Sequence, residues 1–150
     1  MMKVTLILIL LSCTHIVGLA QQDSQWLLDF ERAKEVALKE NKTILISFAG
    51  SDWCKPCIKL TREVFEAEEF SIYACDNLVL LLLDFPRLKK NAISKDQLKH
   101  NEMLAERYNQ DGVFPLVVLT DHEGNVISQT GYRPGGAESF IHYLNTSLEK

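Results

Sequence analysis

Apolar and polar positions follow two rhythms along this chain. From Asp23 to Asn41, Trp26, Phe30, Ala33 and Ala37 recur at helical spacing with Leu27 and Val36 beside them, while Glu31, Arg32, Lys34, Glu35 and Lys39 take other faces. The pattern predicts an amphipathic helix, capped by Asp23 or Ser24 and ended by Asn41-Lys42. Thr43 to Ala49 and Leu78 to Leu83 are instead short and almost unbroken in apolar character, which predicts buried strands. Asp84-Phe85-Pro86-Arg87 closes the second of these, because proline cannot donate to a sheet ladder.

Helical spacing returns between and after the strands. A helix begins at Cys54 to Cys57 and runs through Leu60, Val64 and Phe65; Glu66 to Asp76 continues it after a bend, with Phe70, Tyr73 and Ala74 inward. Lys89 to Asn91 reads as a solvated loop. Ser94-Lys95-Asp96-Gln97 has the form of a capping box and opens a helix through Leu98, Met103, Leu104, Ala105 and Tyr108. Pro115 to Thr120 and Val126 to Gly131 read as strands joined by the turn formers Asp121 to Asn125, hence a hairpin. Gly135-Gly136 precedes a last helix carrying Phe140, Ile141, Tyr143, Leu144 and Leu148. The order is helix, strand, helix, strand, helix, strand, strand, helix: an α/β layered domain with a mixed sheet of about four strands, flanked by helices and preceded by an extra N-terminal helix.

The first twenty residues stand apart. Lys3 supplies a positive start, Val4 to Leu11 is apolar except for Thr5, and Gly18-Leu19-Ala20 places small residues before Gln21. This is the form of a secretory signal peptide, residues 1–20, leaving 21–150 as one domain. Ser12, Thr14 and His15 interrupt the run and argue against a membrane span. Leu10-Leu11-Ser12-Cys13 offers a second reading, a bacterial lipoprotein box with a lipid anchor at Cys13. The domain's expected place is therefore outside the cytoplasm, periplasmic in a bacterium, and membrane-attached if Cys13 is lipidated.

The 150 residues carry 16 basic and 20 acidic side chains, a formal charge of −4. That mild acidity gives no footprint for nucleic acid or for anionic lipid. Once the leader is removed, Cys54, Cys57 and Cys75 remain, an odd number and too few for a disulfide scaffold.

Trp53-Cys54-Lys55-Pro56-Cys57 places two thiols where a strand hands over to a helix. With Cys54 as N-cap, Cys57 stands at N3, and Pro56 at N2 has no N–H to offer. The Cys57 amide is then the donor available to the Cys54 sulfur. That hydrogen bond, the positive end of the helix and the adjacent Lys55 all favour a thiolate at Cys54. Pro56 costs little in a first turn, where amides have no intrahelical partner, and stiffens the ring closed by the two sulfurs. Two plainer readings exist. A four-residue staple constrains an unfolded chain weakly, by roughly 2 kcal/mol. A zinc site would need a second pair of ligands, and His100, His122 and His142 are scattered. The motif therefore points to redox chemistry, without a cofactor or a metal.

With Phe114-Pro115 opening a later strand, these residues resemble the thioredoxin family over about residues 24–148. The lead-in Gly50-Ser51-Asp52-Trp53-Cys54 is similar to exported bacterial thioredoxin-like proteins. The resemblance implies a thioredoxin fold, with Cys54 as the attacking and Cys57 as the resolving thiol. It implies a cis Phe114–Pro115 bond set against the cysteine pair, where Phe114 and Pro115 receive an extended substrate. Gly124 and Gly131 fit the family's hairpin and the turn after it. The sequence departs from cytosolic thioredoxins at the buried aspartate of the strand before the motif, where Ser47 stands; Asp52 and Asp84 are the nearest carboxylates in sequence.

Trp53 is expected to shield the motif and offer a docking surface, with Lys55 and Pro56 in support. Cys75 is expected to be a small buried apolar residue, and Glu63, Glu66, Glu68 and Glu69 a solvated helical face. The expected function is thiol–disulfide exchange with protein substrates, in the reducing direction, reset by an upstream redox partner protein. A binding module with an idle disulfide is the alternative, and metal handling through the cysteine pair a third.

Overall fold

The computed structural model describes residues 26–149. The leader, Cys13 and the proposed caps Asp23 and Ser24 lie outside the described residues. The elements are α1 (Phe30–Glu40), β1 (Thr43–Ala49), α2 (Lys55–Leu60), a π-helical turn (Thr61–Phe65), α3 (Glu68–Asn77), β2 (Leu78–Asp84), a short 3-10 turn (Lys89–Asn91), α4 (Lys95–Tyr108), β3 (Leu116–Thr120), β4 (Val126–Thr130) and α5 (Gly136–Leu148). The sheet has the order β2-β1-β3-β4. β1 and β2 run parallel, and β3 is antiparallel to both β1 and β4. The mixed four-strand sheet, flanked by helices and preceded by a helix, is a thioredoxin fold.

Alternation along β1 divides the core. Ile44, Ile46 and Phe48 face α1 and α4, packing with Phe30, Ala33, Leu104 and Tyr108. Leu45 faces the opposite layer, where Leu60, Val64, Phe70, Phe140 and Leu144 come together from α2, the π turn, α3 and α5. Both faces of β1 are buried, which is why its sequence is almost unbroken in apolar character.

The first helix begins later than its periodicity predicts. Asp29, not Asp23 or Ser24, is the N-cap, accepting a hydrogen bond from the Arg32 amide at 2.7 Å. Ahead of it Leu27 is extended: its amide donates to Leu80 O at 2.8 Å and its carbonyl accepts from the Leu82 amide at 2.9 Å. Trp26 packs edge-on to Phe65 in one layer, while Phe30 lies in the other. The chain thus crosses the edge of the sheet between these aromatics, and one helix cannot serve both layers.

Two other local patterns resolve differently from the sequence reading. Ser94 caps α4 by accepting from the Gln97 amide at 3.1 Å, but the Gln97 side chain turns to Leu28 O and Asn101 instead of closing the box. Lys89 to Asn91 is a 3-10 turn. The β3–β4 hairpin forms as its turn residues predict. The Asp121 carboxylate accepts from the Glu123 and Asn125 amides, and Gly124 takes a φ of +88° while its carbonyl accepts from the buried Tyr108 hydroxyl.

Candidate functional site

Because β1 and β2 are parallel neighbours, Gly50 to Cys57 and Phe85 to Asn91 leave the sheet at the same end. The turn after β1 is closed by the Trp53 and Cys54 amides donating to Gly50 O. The Trp53 indole lies directly against Gly50, where any Cβ would overlap the ring. Two carboxylates then tie the turn to the other loop. Asp84 accepts from the Ser51 amide at 2.9 Å and hydroxyl at 2.6 Å. Asp52 accepts from the Arg87 and Leu88 amides, both at 2.9 Å, and from the Asn91 side chain at 3.0 Å.

These donors, the Arg87 amide foremost, hold the Asp52 carboxyl below its ordinary value. A lowered folded pKa means that the tie is complete above the ordinary carboxylate range and is lost as pH falls through the depressed value. In an NMR titration, the Arg87 and Leu88 amide protons should shift together with a midpoint below that of a free aspartate. Asp52→Ala should abolish the transition; a midpoint at or above the ordinary value would contradict the assignment.

Cys54 and Cys57 form a disulfide with an S–S distance of 2.05 Å and a Cα–Cα distance of 5.2 Å. Cys54 is the N-cap of α2, and its Sγ accepts from the Cys57 amide at 3.3 Å. Pro56 sits in the first turn and leaves that amide as the donor. Lys55 and Pro56 are exposed, whereas Cys54 and Cys57 are 5% and 2% exposed. α2 passes directly into the π turn, so the helical segment reaches Phe65 before the chain bends at Glu66.

Aromatic rings frame the disulfide. Trp53 donates from Nε1 to Phe85 O at 2.8 Å and meets Phe114 edge-on at 5.4 Å, and the Arg87 guanidinium stacks 3.6 Å from its ring. Phe114 packs against Ala49, Cys54 and Cys57 and touches Phe85. The Phe114–Pro115 bond is cis. The structure therefore gathers Trp53, Cys54, Cys57, Phe114 and Pro115 at one place, with Lys55 and Pro56 on its outer side.

Behind the disulfide lies a cavity of about 300 Å³, walled by Cys57, Ser47, Pro115, Trp26, Thr61 and Glu66 among others. Ser47 is 2% exposed and lines this cavity. It stands on the cysteine-facing side of β1, so the place where the resemblance puts an aspartate is a neutral hydroxyl here. Asp52 and Asp84 are both committed to the loops. Glu63, Glu66, Glu68 and Glu69 are all exposed, as expected of a solvated face; Glu66 also borders the cavity, and Glu63 bonds the Tyr132 hydroxyl at 2.6 Å and pairs with Lys59 at 3.7 Å.

Cys75 is a free thiol, only partly buried in α3 rather than fully packed, and it is not among the residues around the cysteine pair. His100 accepts from the Phe30 amide at 3.2 Å, a structural use. Among the described residues no group of three or more His, Cys, Asp or Glu is placed to hold a metal ion, and no helix is long and apolar enough to cross a membrane.

The chain matches the family described as Thioredoxin-like over residues 25–121. The chain belongs to the thioredoxin-like family. It is 31% identical over 131 residues to the disulfide bond reductase DsbH of Chlamydia pneumoniae, covering 87% of this chain and 76% of that one. A solved structure described as DsbH oxidoreductase superimposes with a TM-score of 0.77 at 31% identity, covering 85% of each chain. A thioredoxin from Thermus thermophilus shares the fold, with a TM-score of 0.59 at 15% identity over 84% of this chain and 88% of that one. Membership of the family, with a paired Cys54 and Cys57, makes this thioredoxin-like chain a thiol–disulfide oxidoreductase.

Proposed function

We propose that this protein is an exported disulfide reductase that acts on protein disulfides. Residues 1–20 are its signal peptide, residues 21–150 its catalytic domain, and the periplasm its working compartment. The observation that carries the reading is the Cys54 sulfur at a helix N-cap, accepting from the Cys57 amide. In the reduced protein the same position favours a thiolate.

The Cys54 thiolate attacks one sulfur of a substrate disulfide, forming a mixed disulfide and expelling the other substrate sulfur as a thiolate. Cys57 then loses its proton and attacks the Cys54 sulfur. The second substrate thiolate leaves, and the Cys54–Cys57 disulfide observed here remains. Two electrons have passed to the substrate, and a dithiol partner protein must return them. Phe114 and Pro115 form the wall along which the substrate chain lies; Trp53 covers the disulfide, with Lys55 and Pro56 shaping the first turn. The reducing direction is supported by 31% identity to a protein named as a disulfide bond reductase.

A Cys57→Ala variant tests the reading, because the first attack proceeds and the second cannot. Expressed in the source cell, it should accumulate mixed disulfides through Cys54 with exported proteins. Failure to trap any protein above a Cys54→Ala/Cys57→Ala control would contradict it.

A further inference from the structure

The chain is acidic overall, yet the segment that carries the disulfide and the loop after β2 each hold a run of cations. Residues 53–62 carry Lys55, Lys59 and Arg62 and no acid; residues 85–91 carry Arg87, Lys89 and Lys90 and no acid. Both segments leave the same end of the sheet and are bound to each other through Asp52 and Trp53.

The carboxylates nearby stay ionised, but most are engaged by hydrogen bonds or an ion pair. Asp52 is occupied by three N–H donors and Asp84 by Ser51 and the Phe85 amide; Glu63 holds Lys59 and Tyr132. Glu66 is exposed and borders the cavity, on the far side of Arg62 and Glu63 in sequence from the cysteines. Lys55, Arg62, Arg87, Lys89 and Lys90 are all exposed and have no carboxylate partner among the described residues. Arg87 lies over the Trp53 ring and brings that side of the rim to the residue before Cys54. Cations on both flanks of a reactive disulfide favour an approaching chain of opposite sign.

We propose that this rim selects protein partners whose reacting cysteine is flanked by acidic residues. The proposal rests on the oxidoreductase reading and adds the substrate class. The occupant is a polypeptide because the cations lie on the segment that carries the disulfide and on the loop whose Phe85 and Arg87 touch Phe114 and Trp53, where exchange takes place.

The test uses three peptides that differ only in the residues flanking a central disulfide: Glu, Gln or Lys. Reduction rates with the reduced wild-type protein are normalised to those with a neutral small dithiol. At about 10 mM salt, where screening is weak, the Glu peptide should react about tenfold faster than the Lys peptide, with the Gln peptide between. Salt of about 0.5 M should bring the three together. In Lys89→Glu/Lys90→Glu the Gln peptide should react as before, while the Glu-over-Lys preference falls at least about threefold.

Equal normalised rates for the three peptides, with turnover of the Gln peptide, would overturn the proposal and leave the oxidoreductase reading standing. A preference unchanged in the double variant would also overturn it. Binding to phosphatidylglycerol vesicles without peptide discrimination would assign the cations to a lipid surface and overturn it as well. No turnover of any peptide would remove both readings.

Discussion

Replacing Cys54 by serine should lower the rate of disulfide reduction by at least about a thousandfold while leaving the fold intact. Serine is nearly isosteric, and its hydroxyl can still accept from the Cys57 amide, as serine does at most N-caps. The helix start is therefore preserved, and the loss is chemical: a hydroxyl at neutral pH does not attack a disulfide. Cys57→Ser should behave differently, since Cys57 faces the inner cavity with Ser47 and Pro115. It should retain a single attack per molecule and stall as a mixed disulfide. Stopped-flow measurement of the first attack separates the two variants. Equal first-attack rates in wild type and Cys54→Ser would show that another sulfur carries the reaction.

Truncating Phe140 to alanine should cost about 3–5 kcal/mol of stability, the range for a fully buried aromatic. Phe140 is 0% exposed and stands at the centre of an aromatic group, 6.0 Å from Phe65, 6.3 Å from Phe70 and 6.3 Å from Tyr143 between ring centres. These rings come from the π turn, α3 and α5, so the cavity left behind would be shared by three elements and none can move in alone to fill it. Equilibrium urea unfolding of the oxidised protein reads the loss as a lowered midpoint at nearly constant slope. A loss below about 1 kcal/mol would mean that the layer repacks around the gap.

β1, β2 and β3 were legible because burial on both faces leaves little room for polar residues, and the exposed β4 because turn formers set it off from β3. Thr43–Ala49 is found as predicted, and the other three strands differ by a residue or so at their ends. The cysteine motif was legible for a related reason: N-cap geometry is local, and Pro56 removes one of the two possible donors without reference to the rest of the chain. What escaped was non-local. Trp26 and Phe30 fit a single helical stripe, but the stripe is cut where the chain passes from one side of the sheet to the other. Asp84 reads as a strand end and Asp52 as a turn former; their bonds to residues more than thirty positions away have no local signature.

Ser47 sets a chemical constraint on the site. In the proposed mechanism Cys57 loses a proton in the interior, where β1 offers it only a hydroxyl that ionises far above neutral pH. An acceptor for that proton has to come from the cavity's other wall, from water within it, or from the departing substrate sulfur.

The backbone contact of Leu27 with β2 bears on self-association. β2 is an outer strand, and it reads Leu78-Val79-Leu80-Leu81-Leu82-Leu83. Unpaired strands of that composition recruit copies of themselves into aggregates. Leu27 occupies the Leu80 carbonyl and the Leu82 amide at the middle of that rim and so serves as a guard against self-templating. An expressed fragment starting at Phe30 would keep every helix and strand and lose this protection.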